Sequence, residues 1–278
     1  MKVVRAKHAG ACYGVQRALD MAYAAILDGG ETYTLGPLIH NPQVVSSLEA
    51  QGVRVAESVA DVPSGAVVIR SHGVTPQVRR EVDARGLEAI DATCPHVARA
   101  QKAAADLARS CGQVVVVGEA GHPEVEGLVA CAREAGGQVC VVASGADVPE
   151  GLAAPVGVVV QTTQTREALD DVVAALAARG IAPEVKNTIC FATRQRQEAA
   201  AELAAQVDAI VVIGGRNSSN TTRLADICAA ACARTHHVEA PGELDPAWFE
   251  GCATVGVTAG ASTPEEHIQA VVERLEAL

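Results

Sequence analysis

AIVVIGGRNSSN, residues 209–220, runs from β-branched residues through two glycines into a polar turn, and a helical pattern follows over Thr222–Ala233. A short continuous apolar run of this kind suits a strand buried on both faces, as in parallel sheets. The same order of run, turn and helix recurs along the chain. Strands are predicted at Ala66–Arg70, Val114–Gly118, Val139–Ala143, Val156–Gln161, Ala209–Gly214 and Ala253–Thr258. Helices are predicted at Val15–Leu27, Pro76–Arg85, Ala98–Ser110, Arg166–Arg179, Gln197–Gln206, Thr222–Ala233 and Pro264–Ala277, with a shorter pattern over Val44–Ala50. The alternation specifies an α/β fold with mainly parallel sheets.

The polar residues collect where these strands end. Arg70 leads into Ser71-His72-Gly73, Gly118 into Glu119-Ala120-Gly121-His122-Pro123-Glu124, and Val160 into Gln161-Thr162-Thr163. Ile213 leads into the NSSN turn with Ser218, Ser219 and Asn220, and Thr258 into Ala259-Gly260-Ala261-Ser262. Open α/β sheets bind ligands outside the carboxyl ends of their strands. Hydroxyls, amides and imidazoles beside free N–H groups of helix starts make an anion cradle suited to phosphate or diphosphate. N-capping alone explains any one of these loops; five together, two with histidine, favour a site. His40, at the start of the Val44–Ala50 pattern, has the same placement. Glu124 follows a proline in a first helical turn, and in a closed site its pKa can rise enough for it to give up a proton near neutrality.

Three of nine cysteines share one local setting: Cys12 in GACYGV, Cys94 in DATCPHV and Cys190 in NTICFATRQRQ each stand where an extended segment gives way to a helix. A thiolate is favoured at a helix start by the free N–H groups and the dipole. Structural zinc usually takes four ligands close in sequence, whereas three thiolates from distant segments suit an iron–sulfur cluster with one open position. The spacing of the three suggests three small α/β lobes, residues 13–94, 95–188, and 1–12 with 189–278, around that cluster. Cys111, Cys131, Cys140 and Cys252 lack the junction context. Cys228 and Cys232, on one helix face among Ala, Ile and Leu, read as core, and His236-His237 as a solvated turn.

Composition sets the outer limits. The chain has 278 residues, 49% hydrophobic, a formal charge of −11 and only 2% aromatic residues. A basic stripe with stacking aromatics is absent, so nucleic acid is not an expected partner. No stretch reaches a membrane span and no signal-peptide core opens the chain, so a cytoplasmic protein with reduced thiols is expected.

The motifs, taken in order, are GACYGV, His40-Asn41, Ser71-His72-Gly73, DATCP at 91–95, GHPEVEG at 121–127, QTT at 161–163, TICFAT at 188–193, NSSN at 217–220 and TAGAS at 258–262. In this order they resemble the 4-hydroxy-3-methylbut-2-enyl diphosphate reductases, the LytB family, over essentially the whole chain. The resemblance implies a three-lobed α/β fold around a [4Fe–4S] cluster held by Cys12, Cys94 and Cys190. It implies an allylic diphosphate substrate contacted by His40, His72, His122, Thr162, Ser218, Ser219, Asn220 and Ser262. Glu124 would supply protons, with Thr162 and His122 beside it. Two electrons from an external donor such as ferredoxin or flavodoxin would remove the hydroxyl as water. The products implied are isopentenyl and dimethylallyl diphosphates, the last step of the methylerythritol phosphate route. Ala11 and Asn187 depart from the family's usual Phe and Asp. An acidic ferredoxin would need a local basic patch, expected around Arg79, Arg80, Arg194 and Arg196. Two alternatives compete: a metal-dependent phosphohydrolase ligated by His40, His72, His122 and Glu124, and a non-catalytic iron–sulfur sensor.

Overall fold

Side chains alternate across a strand, and the four valines Val114–Val117 use both directions. Val115 and Val117 join Leu169, Val172 and Leu176 in one core, while Val114 and Val116 join Ala104, Leu107 and Leu128 in another. A strand with apolar partners on both sides must lie between helices. Each fully buried valine contributes roughly 1.5–3 kcal/mol through the hydrophobic effect, so this placement dominates the local energetics.

The computed structural model describes all residues from Met1 to Leu278. Its elements run β1 (Lys2–Arg5), α1 (Tyr13–Leu27), β2 (Thr32–Leu35), α2 (Pro42–Ala50), β3 (Val53–Ala56), β4 (Ala66–Ile69), α3 (Pro76–Ala84) and β5 (Glu88–Asp91). Then follow α4 (Pro95–Cys111), β6 (Gln113–Val117), α5 (Pro123–Glu134), β7 (Gln138–Val142), β8 (Val156–Val160), α6 (Arg166–Ala178) and β9 (Glu184–Lys186). The chain ends with α7 (Phe191–Ala204), β10 (Ala209–Ile213), α8 (Ser219–Ala231), β11 (Thr235–Val238), β12 (Thr254–Ala259) and α9 (Glu265–Glu276), with short 3-10 turns between some elements.

The strands form three four-stranded sheets, ordered β1-β12-β10-β11, β3-β2-β4-β5 and β7-β6-β8-β9. Every pairing is parallel. These are the three α/β lobes. Two compact units contain them: Met1–Gln16, Ile39–Val45 and Phe191–Leu278 hold the first sheet, while Arg17–Leu38 and Ser46–Cys190 hold the other two. In the first unit, Val211 and Ile213 pack with Ile268, Val271 and Leu275 of α9, whereas Ile210 and Val212 pack with Leu203 of α7 and Leu224 of α8. The β2 sheet closes its core with Tyr33, Leu35, Val67 and Val82.

Each junction cysteine lies where the chain leaves one sheet for the next. β1 leads through Cys12 into α1 and the β2 sheet; β5 leads through Cys94 into α4 and the β6 sheet; β9 leads through Cys190 into α7 and the β10 sheet. In all three passages the departing strand is an edge strand.

Several expectations are corrected. His236-His237 is not a solvated turn: both lie in β11, and the His236 ring stacks on Trp248 at 4.1 Å. Helix α7 begins at Phe191, six residues before the expected start, because its first turns carry polar side chains with buried partners. Arg196 is one of them and is no surface charge: it is buried, donating to the carbonyls of Gly10 and Ala192. Arg79 is half-buried and Arg80 exposed, and both are tied to carboxylates, Arg79 to Asp83 and Asp91 and Arg80 to Glu134. The proposed basic patch therefore does not exist in that form. Asn187 Oδ1 accepts the Ile189 N–H at 3.1 Å.

Candidate active site

In the larger unit the predicted residues form one connected run at the carboxyl edges of two sheets. Proline at 123 starts α5 immediately after β6 and its turn, with His122 as N-cap. The His122 Nδ1 accepts the Glu124 backbone N–H at 3.1 Å, which leaves the ring proton on Nε2. Burial holds the His122 pKa below its ordinary value; Glu119 opposes this and the Arg70 charge adds to it. The ring is a neutral donor at pH 7. His72, in the turn after β4, meets it edge to face with centroids 5.5 Å apart.

Glu124 is 1% exposed. Its Oε1 accepts the Thr162 N–H at 2.6 Å and its Oε2 the Thr162 hydroxyl at 2.8 Å. Burial pushes its pKa up to about 7, against the pull of those two hydrogen bonds. A carboxyl that holds its proton near neutrality and touches a hydroxyl is equipped to pass that proton on. Thr162 is joined in turn to a cysteine, since the Cys190 N–H donates to its carbonyl at 3.0 Å. At the other end, the Cys94 N–H donates to the Ser71 carbonyl at 3.0 Å, one residue from His72. Backbone hydrogen bonds thus seat two of the three junction cysteines beside the histidine and carboxyl groups.

The smaller unit gathers the remaining candidates. The Cys12 N–H donates to the Ala261 carbonyl at 3.1 Å, which places the cysteine beside Ser262. Asn41 Oδ1 accepts the N–H groups of Gln43 and Val44, capping α2, and its Nδ2 donates to the Ser262 carbonyl at 2.8 Å. That side chain ties the His40 loop to the Ser262 loop. A Cβ at Gly215 would lie 2.7 Å from the His40 carbonyl oxygen, so only glycine lets the NSSN turn approach His40 this closely. A Cβ at Gly260 would come 2.0 Å from Thr221 Oγ1, which seats the loop after β12 on the start of α8 in the same way.

Ser218 caps α8, its hydroxyl accepting the Thr221 N–H at 3.4 Å, so capping is part of its role. Asn220 differs. It is 5% exposed, yet neither its Oδ1 nor its Nδ2 has a partner within the protein. A buried amide left so is costly and calls for a ligand or water. Gln161 is a second such group, missed by sequence reasoning as a functional side chain. Its Oε1 accepts the Glu119 N–H at 3.0 Å while its buried Nε2 has no partner. Asn41 and Arg196 were named in the sequence but not for these roles, because each acts through a contact with a residue distant in sequence.

Thiols at helix starts are the donor type that iron–sulfur clusters use. All nine cysteines are free thiols. Cys12, Cys94 and Cys190 are half-buried at helix starts, and the Cys94 thiol makes no capping hydrogen bond to α4. Cys228 is the contrast: fully buried, with its thiol pushed up to about 12, it stays protonated and acts as core. A hydrolase metal would need Glu124 and the histidines as ligands. Both Glu124 oxygens already accept from Thr162, and His122 Nδ1 accepts from a backbone N–H.

Known proteins resemble this chain over nearly its whole length. A 4-hydroxy-3-methylbut-2-enyl diphosphate reductase of Geotalea daltonii is 50% identical over 282 residues, covering 100% of this chain and 98% of that protein. One of Pelobacter propionicus is 51% identical over 276 residues, covering 99% and 98%. Among solved structures, (E)-4-hydroxy-3-methyl-but-2-enyl diphosphate reductase, described as the terminal enzyme of the non-mevalonate pathway, superposes with a TM-score of 0.73 at 41% identity over the whole of both chains. The E-1-hydroxy-2-methyl-but-2-enyl-4-diphosphate reductase of Plasmodium falciparum gives a TM-score of 0.91 at 25% identity, covering 98% of this chain and 87% of that one. No helix is long and apolar enough to cross a membrane. The model of the family described as LytB protein matches residues 3–276, and the chain belongs to that family.

Proposed function

We propose that this chain reductively removes the hydroxyl of 4-hydroxy-3-methylbut-2-enyl diphosphate, giving isopentenyl and dimethylallyl diphosphates in the cytoplasm. The observation that carries this is Glu124, a carboxyl protonated near pH 7 and hydrogen-bonded to Thr162, in one connected run with Cys94 and Cys190. Cys12, Cys94 and Cys190 hold a [4Fe–4S] cluster, which when bound supplies electrons and a Lewis acid. The lobe boundaries at residues 13–94, 95–188, and 1–12 with 189–278 belong to the same proposal, since each cut falls at or beside one of these cysteines.

Overall the substrate gains two electrons and two protons; its C–O bond breaks, water leaves and a C–H bond forms. Glu124 gives a proton to the Thr162 hydroxyl, which turns its own proton toward the departing oxygen. Burial of the pair keeps that proton from bulk water. Neutral His122 donates from Nε2 to the diphosphate, with His72 beside it. Ser218, Ser219, Asn220, Ser262 and His40 bind the same group, and the unpartnered amide of Asn220 is the strongest support for a ligand there. The electrons come from an external protein such as ferredoxin or flavodoxin.

The test is an anaerobic assay with the hydroxylated diphosphate and dithionite-reduced methyl viologen, read beside iron content. Formation of both products in proportion to bound iron is expected. Turnover by iron-free protein, or release of inorganic phosphate in place of the two diphosphates, would overturn the assignment.

A further inference from the structure

The exposed large apolar side chains are Met1, Tyr13, Leu27, Val185, Phe191 and Leu278. The sequence has one Trp, three Tyr and two Phe, so a large share of its aromatic side chains is spent here on the surface. Tyr13 is 71% and Phe191 58% exposed, and they directly follow Cys12 and Cys190. Both belong to the smaller unit. One buried side chain ties together the segments that carry them: Arg196 donates from Nη1 to the Ala192 carbonyl at 3.0 Å and from Nη2 to the Gly10 carbonyl at 2.7 Å. The first turn of α7 and the segment entering Cys12 are thereby held on one guanidinium.

The charge around this face runs against the rest of the molecule. Residues 1–16 contain no Asp or Glu, and neither do residues 191–197, in a chain of charge −11. Lys7 is exposed and enters no ion pair, and Arg194 lies over the Phe191 ring at 5.1 Å. Arg194 is paired with Glu198 at 3.7 Å and Arg5 with Glu265, whereas Lys7 has no counter-charge.

We propose that the face formed by Tyr13, Phe191, Lys7 and Arg194 docks an acidic one-electron carrier protein. This rests on the proposed reductase function. Aromatic and Arg side chains dominate the centres of protein interfaces, and small interfaces serve weak redox encounters. The Lys7 charge steers an acidic partner, whereas two copies meeting through this same face would set like charges against each other. Each docking oxidises one carrier by one electron, delivered one residue away from two proposed cluster ligands. Two dockings match the two electrons that break the C–O bond.

The test compares Tyr13→Ser, Phe191→Ser and Lys7→Glu with the parent as cluster-loaded enzymes. Reduced ferredoxin and reduced flavodoxin serve in separate arms, and dithionite-reduced methyl viologen as the small-molecule control. The half-saturating concentration of carrier should rise by about tenfold or more in the aromatic variants. Lys7→Glu should raise it at low salt and flatten its ionic-strength dependence. Viologen-driven rates and iron content should stay unchanged. A rise in one arm only identifies the carrier class. If Phe191→Ser loses iron, Tyr13→Ser and Lys7→Glu still decide. Unchanged carrier dependence in those variants, an equal loss with viologen, or an altered oligomeric state in place of altered carrier dependence would overturn the proposal. Absence of viologen-driven turnover in the parent would instead sink the reductase assignment.

Discussion

Glu124→Gln separates the proton from the geometry. The glutamine amide can accept the Thr162 N–H and donate to the Thr162 hydroxyl, so both contacts made by the carboxylate survive. Only the ionisable proton is lost. The raised pKa of Glu124 has a second consequence, in stability. Its carboxyl goes from an ordinary value of 4.5 to about 7 on folding. Between those values the native chain holds a proton that the unfolded chain has released, so native stability falls as pH rises through that window. The full effect is in place above about pH 7 and amounts to about 3 kcal/mol. Glutamine never ionises. The variant should therefore match the parent below pH 4.5 and exceed it by up to about 3 kcal/mol at pH 8. Urea unfolding of both proteins, anaerobically and at matched iron content from pH 4.5 to 9, measures the gap, and groups common to both cancel. Turnover with viologen should fall by about 10²–10⁴-fold, the usual worth of a general acid. A stability gap that stays flat across this range would show that Glu124 titrates as an ordinary carboxyl, and the proton-donor assignment would go with it.

Ser in place of Cys12, Cys94 or Cys190 should abolish cluster loading, read as iron content and visible absorption. Cys228→Ser should load normally while losing about 1–3 kcal/mol of stability, from a hydroxyl placed in an apolar core. A fully loaded Cys94 variant would refute the ligand set. Thr162→Val removes a hydrogen bond that pulls the Glu124 pKa down. The alkaline limb of the pH–rate profile should then move to higher pH, with a lower maximum because the relay hydroxyl is gone; an unmoved limb counts against the pair acting together. Gly215→Ala would put a methyl group against the His40 carbonyl. It should raise KM for the diphosphate by about tenfold or more, the size of a roughly 1.4 kcal/mol binding loss, at unchanged iron content. Unaltered KM would show that the close approach of the two loops does not shape the binding site.

The central strands other than β2 were legible in the sequence, and of the six edge strands only β7 was. Val114–Val117, Val156–Val160 and Ala209–Ile213 are buried throughout and read as apolar runs. The missed β1, β3, β5, β9 and β11 all lie at sheet edges, where one side of the ladder is open and side chains meet water. Their sequences, such as EAID in β5 and EVK in β9, carry no hydrophobic signal because burial does not demand one. β2 was missed for another reason. It is fully buried, but its TYTL sequence places Thr32 and Thr34 inside, and buried threonine imitates a polar turn. In the site, histidines, cysteines and hydroxyls announced themselves by standing at strand ends. Arg196 did not, because a guanidinium clamped between two carbonyls has the same sequence appearance as a solvated charge.

Because every strand pairing is parallel, the chain returns to its starting edge through the opposite ends of its helices. Gly29, Gly52, Gly86, Gly136 and Gly180 mark those return turns, and at each a Cβ would meet nothing within 4 Å. These turns are open to lengthening, since surface connections away from the binding edge accept insertion well. A reporter peptide or affinity tag spliced after Gly136 or Gly180 should leave the enzyme working. The same insertion beside Cys12, Cys94 or Cys190 interrupts a passage between sheets and should leave it colourless. Tolerance to insertion thus follows position along each connection: the turns that end helices are open to redesign, and the passages through the cysteines are closed to it.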